Sequence, residues 1–224
     1  MQQDNENTAA EQTEPQHQKS GARNYFTATR ITYIAVFTAI SFVLYLFDFS
    51  ILPAVSFLKI DFSNVFVMIA GFSLGPVAGV IVGVLKELLH GIMMGNTAFV
   101  GELANVLFML PYMLIPAIVY KKHKGIKTVI ITLLLGCVAQ CIVCIPVNYL
   151  LNFPAYLKVY AGYSWKQGMD FFLTVWYWAV LFNLIKTLMI SAVTIIIYKP
   201  LSNLIKMTNA KFEKLDAKRK TKKA

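Results

Sequence analysis

Three side chains that could take part in chemistry stand close together inside an apolar stretch of the chain. Lys86, Glu87 and His90 interrupt the run VAGVIVGVLKELLHG, which is otherwise built from aliphatic and small residues. A charge within a segment of hydrocarbon length is costly, so it usually faces a protein interior or a wet cavity and marks a functional site. Adjacent residues on a helix point about 100° apart, so the sequence leaves open which of Lys86 and Glu87 faces such a cavity.

Further polar side chains lie in or at the start of other apolar segments. They are Asp61, Asn64, Glu102, Asn105, Gln140, Asn148, Asn183 and Lys186. Asn183 and Lys186 are three residues apart and therefore share one helical face. Most of these groups fall near one end of the predicted helices. This pattern favours a ligand cavity that opens at that end, in which Asn side chains act as both donors and acceptors.

Simpler interpretations of the same residues remain open at this point. Glu87 and Lys186 could pair only to neutralise each other, and Asn148 and Asn183 could serve only as hydrogen-bonded contacts between helices. A membrane enzyme with Glu87 and His90 as acid and base, and a structural subunit without a ligand, are alternatives from other classes. The chain contains no GxxxxGK[ST] phosphate loop and no HExxH zinc motif. We therefore expect no ATP hydrolysis through a phosphate loop.

The cysteines offer one further alternative. Cys137, Cys141 and Cys144 share a helical face, which could in principle bind a soft metal. No His or acidic residue accompanies them, and buried Cys commonly packs as a small hydrophobic residue. We therefore expect no metal site.

The elements that must position these groups are apolar helices. The chain has 224 residues, of which 57% are hydrophobic and only 14% charged, with a mean hydropathy of +0.59. A soluble domain would need more polar surface, so the predicted fold class is an all-α integral membrane protein. Six transmembrane helices are predicted at residues 28–47, 62–74, 77–89, 102–120, 128–152 and 170–198. Residues 153–169 are predicted to form an aromatic loop.

The distribution of charge predicts the topology and the domain boundaries. The formal net charge is +10, and most basic residues lie in the two tails and in the loop Lys121–Lys127. Basic residues favour the cytoplasmic side, so both termini are predicted to be cytoplasmic. Residues 1–27 are predicted to be a disordered polar tail, 28–198 a six-helix substrate-binding domain, and 199–224 a basic cytoplasmic tail against solvent or anionic lipid. The partner of these charges is the bilayer and not nucleic acid.

Several phrases together resemble a known family, the substrate-binding S components of energy-coupling factor (ECF) vitamin transporters. They are LKIDFSN followed by GFSLGPVAGVIVGVLKELLH, GELANVLF at the start of the fourth span, and FNLIK in the sixth. Ala35 and Ala39 add a pair of small residues, four apart on the first span. The resemblance covers residues 28–198 and is greatest to the riboflavin-specific members.

The resemblance implies a function that composition alone does not. It implies that the protein is not an enzyme but binds riboflavin with high affinity at the extracellular face of the bacterial cell membrane, with the vitamin as transported substrate and no cofactor. It implies that Glu87, Asn148, Asn183 and Lys186 are the polar partners of the flavin. It also implies that Ala35 and Ala39 dock on the transmembrane coupling subunit, that two ATP-binding cassette ATPase subunits supply the energy, and that the S component topples to deliver its ligand.

Two further expectations concern the ligand. A flavin needs an apolar slot with a few placed polar groups. The residues expected to supply the slot are Leu44, Phe47, Leu52, Phe57, Tyr156 and Trp165. Another vitamin or flavin mononucleotide is the alternative ligand. The absence of Arg from spans two to six mildly opposes the phosphate ester, although Lys86 could serve it.

Overall fold

The computed structural model describes residues 26–50, 58–94 and 99–221. Its helices, in chain order, are α1 Ala28–Tyr45, α2 Ser63–Leu74, α3 Pro76–Met94, α4 Val100–Lys122, α5 Ile126–Val147, α6 Phe153–Ala161 and α7 Trp165–Thr221. A π-helical segment, Asn148–Asn152, joins α5 to α6. Between α1 and α2, β1 (Phe49–Ser50) pairs antiparallel with β2 (Lys59–Ile60). The all-α architecture agrees with the prediction.

Five helical runs are long and apolar enough to cross a membrane. They are Ala28–Tyr45, Pro76–Met94, Val100–Lys122, Ile126–Ala161 and Trp165–Leu215. The remaining apolar helix, α2, has only 12 residues, and ten of them are buried. A helix that is apolar on all sides belongs in the interior of a bundle. α2 therefore lies in the core, with α1, α3, α4 and α7 packed around it.

Glycine permits the tight connection between α2 and α3. Gly75, the single residue between the helices, has φ +98°, a left-handed conformation that favours glycine. Farther along the pair, a Cβ added to Gly79 would lie 3.0 Å from the Cα of Gly71 and 2.8 Å from the Sδ of Met113. Glycines recur every fourth residue from Gly71 to Gly83, a spacing that predicts close helix contact, and this contact is present.

The prediction of a loop at residues 153–169 is wrong, because α6 and the start of α7 occupy most of this segment. Pro154 lies in the first turn of α6, directly after the π-helical segment Asn148–Asn152. Phe153, Pro154 and Ala155 are buried, so packing favours a helix here. Gly162, with φ +67°, ends it.

The segment after Tyr198 continues α7 and does not separate from the bundle. Ile205, Thr208, Asn209 and Phe212 are buried, at the spacing of one helical face. The Nδ2 of Asn209 donates to the backbone oxygen of Phe72 at 3.0 Å. We expected this segment in solvent or at lipid headgroups, but its apolar face packs on the bundle.

Parts of the predicted domain plan lie outside the described residues. These parts are residues 1–25 of the N-terminal tail, 51–57 of the first loop, 95–98 between α3 and α4, and 222–224 of the C-terminal tail. The loop between α3 and α4 is shorter than predicted, because α3 extends five residues past Leu89 to Met94.

Candidate functional site

Four charged side chains are buried together where β2 leads into α2. The Lys186 Nζ, from α7, donates to Asp61 Oδ2 at 2.9 Å and to the backbone oxygen of Lys59 at 3.0 Å. The Lys86 Nζ, from α3, donates to Ser63 Oγ at 2.6 Å and to Glu87 Oε1 at 2.8 Å. Two ammonium groups thus face two carboxyl groups, and pairing of this kind makes burial of charge tolerable.

Asp61 is the residue that joins these charges to the backbone. Its Oδ1 accepts the Ser63 amide at 3.0 Å and also the Ser63 hydroxyl, which closes the start of α2. Burial alone would raise the pKa of Asp61, but the Lys186 and Lys86 ammonium groups and the Ser63 hydroxyl hold that pKa well below its usual range. Asp61 therefore remains a carboxylate anchored between α2, α3 and α7.

The direct Glu87–Lys186 pair considered from the sequence does not form. Lys186 reaches Asp61, which β2 brings beside α7, while Lys86 pairs with its own neighbour Glu87. Adjacent helical residues do not normally face each other, but the long lysine side chain can fold back toward the glutamate. The charges are balanced within two separate pairs.

A second polar cluster lies across the same end of the bundle. The Nδ1 of His90 is 2.9 Å from Glu102 Oε1. The His90 ring stacks on Tyr45, with centroids 3.9 Å apart and planes 13° apart. The Tyr45 hydroxyl accepts a hydrogen bond from Asn105 Nδ2 at 2.6 Å. This cluster fixes the relative positions of α1, α3 and α4.

Two cavities lie between these clusters. The larger cavity has a volume of about 390 Å³, and its polar lining comes from Tyr45, Asp48, Lys59, Asp61, His90, Glu102, Asn105, Tyr156, Tyr160 and Lys186. The smaller cavity, of about 40 Å³, combines apolar and amide-bearing side chains, which are Leu58, Ala104, Phe108, Phe182, Asn64, Gln140, Asn152 and Asn183. Both cavities are also lined by Lys59, Gly101, Asn105, Tyr156 and Lys186. The two cavities are therefore adjacent.

The structure brings only two of the four predicted ligand residues to a cavity wall. Lys186 lines both cavities and Asn183 lines the smaller one. Asn183 accepts a hydrogen bond from Gln140 Nε2 at 3.1 Å, a contact between α5 and α7. Glu87 and Asn148 are buried but line neither cavity. The Asn148 Nδ2 donates a hydrogen bond to the backbone oxygen of Cys144, and the Asn148 Oδ1 accepts one from Asn152 Nδ2.

The residues expected to form an aromatic slot are also divided. Tyr156 lines both cavities, whereas Phe47 and Trp165 are exposed and Leu44 lines neither cavity. Leu52 and Phe57 lie outside the described residues. Tyr45 and Asn152 are lining residues that the sequence did not single out. The only signal for Asn152 is its position one helical turn after Asn148.

The remaining candidates lie away from the cavities. Ala35 and Ala39 are exposed on α1, on the side away from buried Ile34 and Thr38. The Cys137 Sγ lies 3.5 Å from the Ser191 Oγ, and the Cys144 thiol donates a hydrogen bond to the backbone oxygen of Cys141. Among the described residues, no group of three or more His, Cys, Asp or Glu side chains is arranged to hold a metal ion.

Comparison with known proteins gives matches over most of the chain. Residues 29–198 match the family described as "ECF transporter, substrate-specific component". The riboflavin transporter RibU of Staphylococcus aureus (strain TCH60) is 32% identical over 178 residues, which cover 79% of this chain and 92% of that protein. The riboflavin transporter FmnP of Bacillus subtilis (strain 168) is 36% identical over 129 residues, 57% of this chain and 68% of that one.

Two further matches extend this result. The riboflavin transporter RibU of Streptococcus thermophilus is 31% identical over 189 residues, 82% of this chain and 88% of that protein. A solved structure described as "Structure and mechanism of the S component of a bacterial ECF transporter" superposes with a TM-score of 0.63 at 32% identity. It covers 80% of this chain and 98% of the other.

Proposed function

This chain belongs to the family of substrate-specific components of ECF transporters, and from that premise we propose that it binds riboflavin for uptake into the cell. The observation that carries the proposal is the similarity to three riboflavin transporters, at 31–36% identity over 57–82% of this chain. The membrane character of the helices agrees with a transporter component.

The cavities have the chemistry that a flavin requires. A small-molecule site is a concave space of about 300–1,000 Å³ with apolar walls and a few placed polar groups. The larger cavity, at about 390 Å³, falls in this range. Apolar side chains such as Phe108 and Phe182 stand beside the amides of Gln140 and Asn183 in the smaller one. The paired charges around Lys186 leave little net charge there, which suits a neutral vitamin.

We propose that all four residues taken from the family resemblance contact the flavin, in two ways. Asn183 and Lys186 contact it directly, because they already line the cavities. Glu87 and Asn148 reach it after local rearrangement of the Lys86–Glu87 pair and of the Asn148–Asn152 contact. No cofactor takes part, because riboflavin is the cargo.

The direction of transport and its coupling are part of the same proposal. Both termini face the cytoplasm of a bacterial cell, so that the cavities open to the outside and capture the vitamin there. The exposed Ala35 and Ala39 on α1 dock on the transmembrane coupling subunit, since small residues let helices approach closely. Two ATPase subunits supply the energy, and the chain reorients in the membrane to release riboflavin.

Titration of the purified, detergent-solubilised chain tests the proposal. Riboflavin fluorescence should be quenched on binding and should saturate at one flavin per chain. Thiamine and biotin, added in excess, should not displace the flavin. Absence of saturable riboflavin binding, or displacement by another vitamin at lower concentration, would contradict the assignment.

A further inference from the structure

Glu102 is not among the ligand residues discussed so far, although its side chain lines the larger cavity. Glu102 is only 6% exposed and lines that cavity. Its Oε1 contacts His90 Nδ1, while its Oε2 is buried without a hydrogen-bond partner from another described residue. A buried carboxylate oxygen without a partner is unfavourable, so such an oxygen beside a cavity is suited to accept a hydrogen bond from a ligand.

The surroundings of Glu102 hold its carboxylate in place. The His90 ring is stacked on Tyr45, and Tyr45 is held in turn by Asn105. A Cβ at Gly91 would collide with the Phe99 ring and lie 3.3 Å from the Glu102 Cγ, so α3 approaches the start of α4 closely at this point. Glu102 is therefore oriented before any ligand arrives, which reduces the entropic cost of binding.

The charges around the larger cavity define which ligand group suits this oxygen. Lys59 pairs with Asp48 at 3.0 Å, and Lys186 pairs with Asp61 at 2.9 Å. Both lysines that line the cavity are therefore paired with an aspartate. Among the described lining residues, His90 is the only other basic side chain, and it contacts Glu102. An O–H donor on a neutral ligand is attracted to such a carboxylate, whereas a phosphate group brought near it is repelled.

We propose that Glu102 is a ligand-binding and specificity-determining residue: it accepts a hydrogen bond from a hydroxyl of the ligand's polyhydroxyl chain and disfavours a phosphate ester at that place. This inference rests on the proposed function and deepens it, because it predicts that the protein selects the free vitamin over its phosphorylated form. It assigns to α4 a role that the resemblance did not imply.

Three ligands distinguish this role from a structural one. Riboflavin carries the hydroxyl chain, lumiflavin has the same ring system with a methyl group in its place, and flavin mononucleotide carries the phosphate. Glu102→Gln should weaken riboflavin binding about 10-fold, the difference between a charged and a neutral acceptor. Lumiflavin binding should remain unchanged, and the affinity for flavin mononucleotide relative to riboflavin should rise about 10-fold. Glu213→Gln is the matched control, because Glu213 pairs with Lys124 and lines neither cavity.

Each result has one interpretation. Equal losses for riboflavin and lumiflavin, or an unchanged riboflavin affinity in the folded variant, would overturn the role of Glu102. If Glu102→Gln does not fold, Glu102→Asp moves the charge back by one methylene and should show the same selective loss. The unmodified protein must itself bind riboflavin more tightly than the other two ligands, or the inference fails. No riboflavin binding by the unmodified protein would instead refute the proposed function.

Discussion

Replacing Lys186 with Met should both destabilise the protein and weaken riboflavin binding, because the same ammonium group serves two purposes. It neutralises buried Asp61 at 2.9 Å and it lines both cavities. Removing one member of a buried ion pair leaves the other uncompensated, which costs about 3–5 kcal/mol. For a chain of this size, a loss of about 3 kcal/mol lowers the melting temperature by roughly 6–12 °C.

A double-mutant cycle separates the pair from other effects of these substitutions. Lys186→Met and Asp61→Asn should each lower the melting temperature in detergent. The double variant should lose less than the sum, by about 1–3 kcal/mol, because it leaves no uncompensated charge. Lys199→Met, at an exposed position on the same helix, is the control and should melt as the unmodified protein does. Strictly additive losses would refute the reasoning that Lys186 and Asp61 act as one buried pair.

Binding is the second readout of the same variant. A hydrogen bond from a charged donor contributes about 1.5–3 kcal/mol, so Lys186→Met should weaken riboflavin binding by about 10- to 150-fold. A folded Lys186→Met protein with unchanged riboflavin affinity would show that the ammonium group serves the fold alone.

Three other predictions test separate parts of the account. Asn183→Ala should weaken riboflavin binding about 10-fold, whereas Asn203→Ala, at an exposed position on the same helix, should not; equal effects would exclude a ligand role for Asn183. Ala35→Arg combined with Ala39→Arg should abolish riboflavin uptake by cells yet leave binding by the purified chain intact, and loss of binding would contradict a docking role. Phe212→Ala should lower the free energy of unfolding by about 3–5 kcal/mol with riboflavin affinity unchanged; an unaltered melting temperature would contradict the packing of the end of α7 on the bundle.

The helical bundle could be predicted because its signals are local. Long apolar runs predict spanning helices, and the Gly71–Gly79 spacing predicts the close approach of α2 and α3 that the structure shows. The segment 153–169 is harder to assign, because its aromatic and polar residues are also typical of an interfacial loop. Burial of Phe153 and Pro154 depends on tertiary contacts, which the sequence does not display.

The cavity region could be predicted, but the pairing inside it could not. Polar residues near one end of the predicted spans indicate the end of the bundle at which the two cavities lie. Which lysine meets which carboxylate depends on side-chain reach and on the position of β2 beside α7. The pair of His90 and Glu102 joins residues 12 apart across a helix-to-helix connection, a contact that no short sequence pattern indicates. The partners of Asn148 and Asn183 are likewise set by packing.

The most direct test of the account is an experimental structure of the protein with riboflavin bound. The account predicts the flavin in the space formed by the two adjacent cavities, with polar atoms within about 3.5 Å of Asn183 and Lys186. A flavin bound elsewhere on the chain, or one bound in these cavities without contact to either residue, would contradict it.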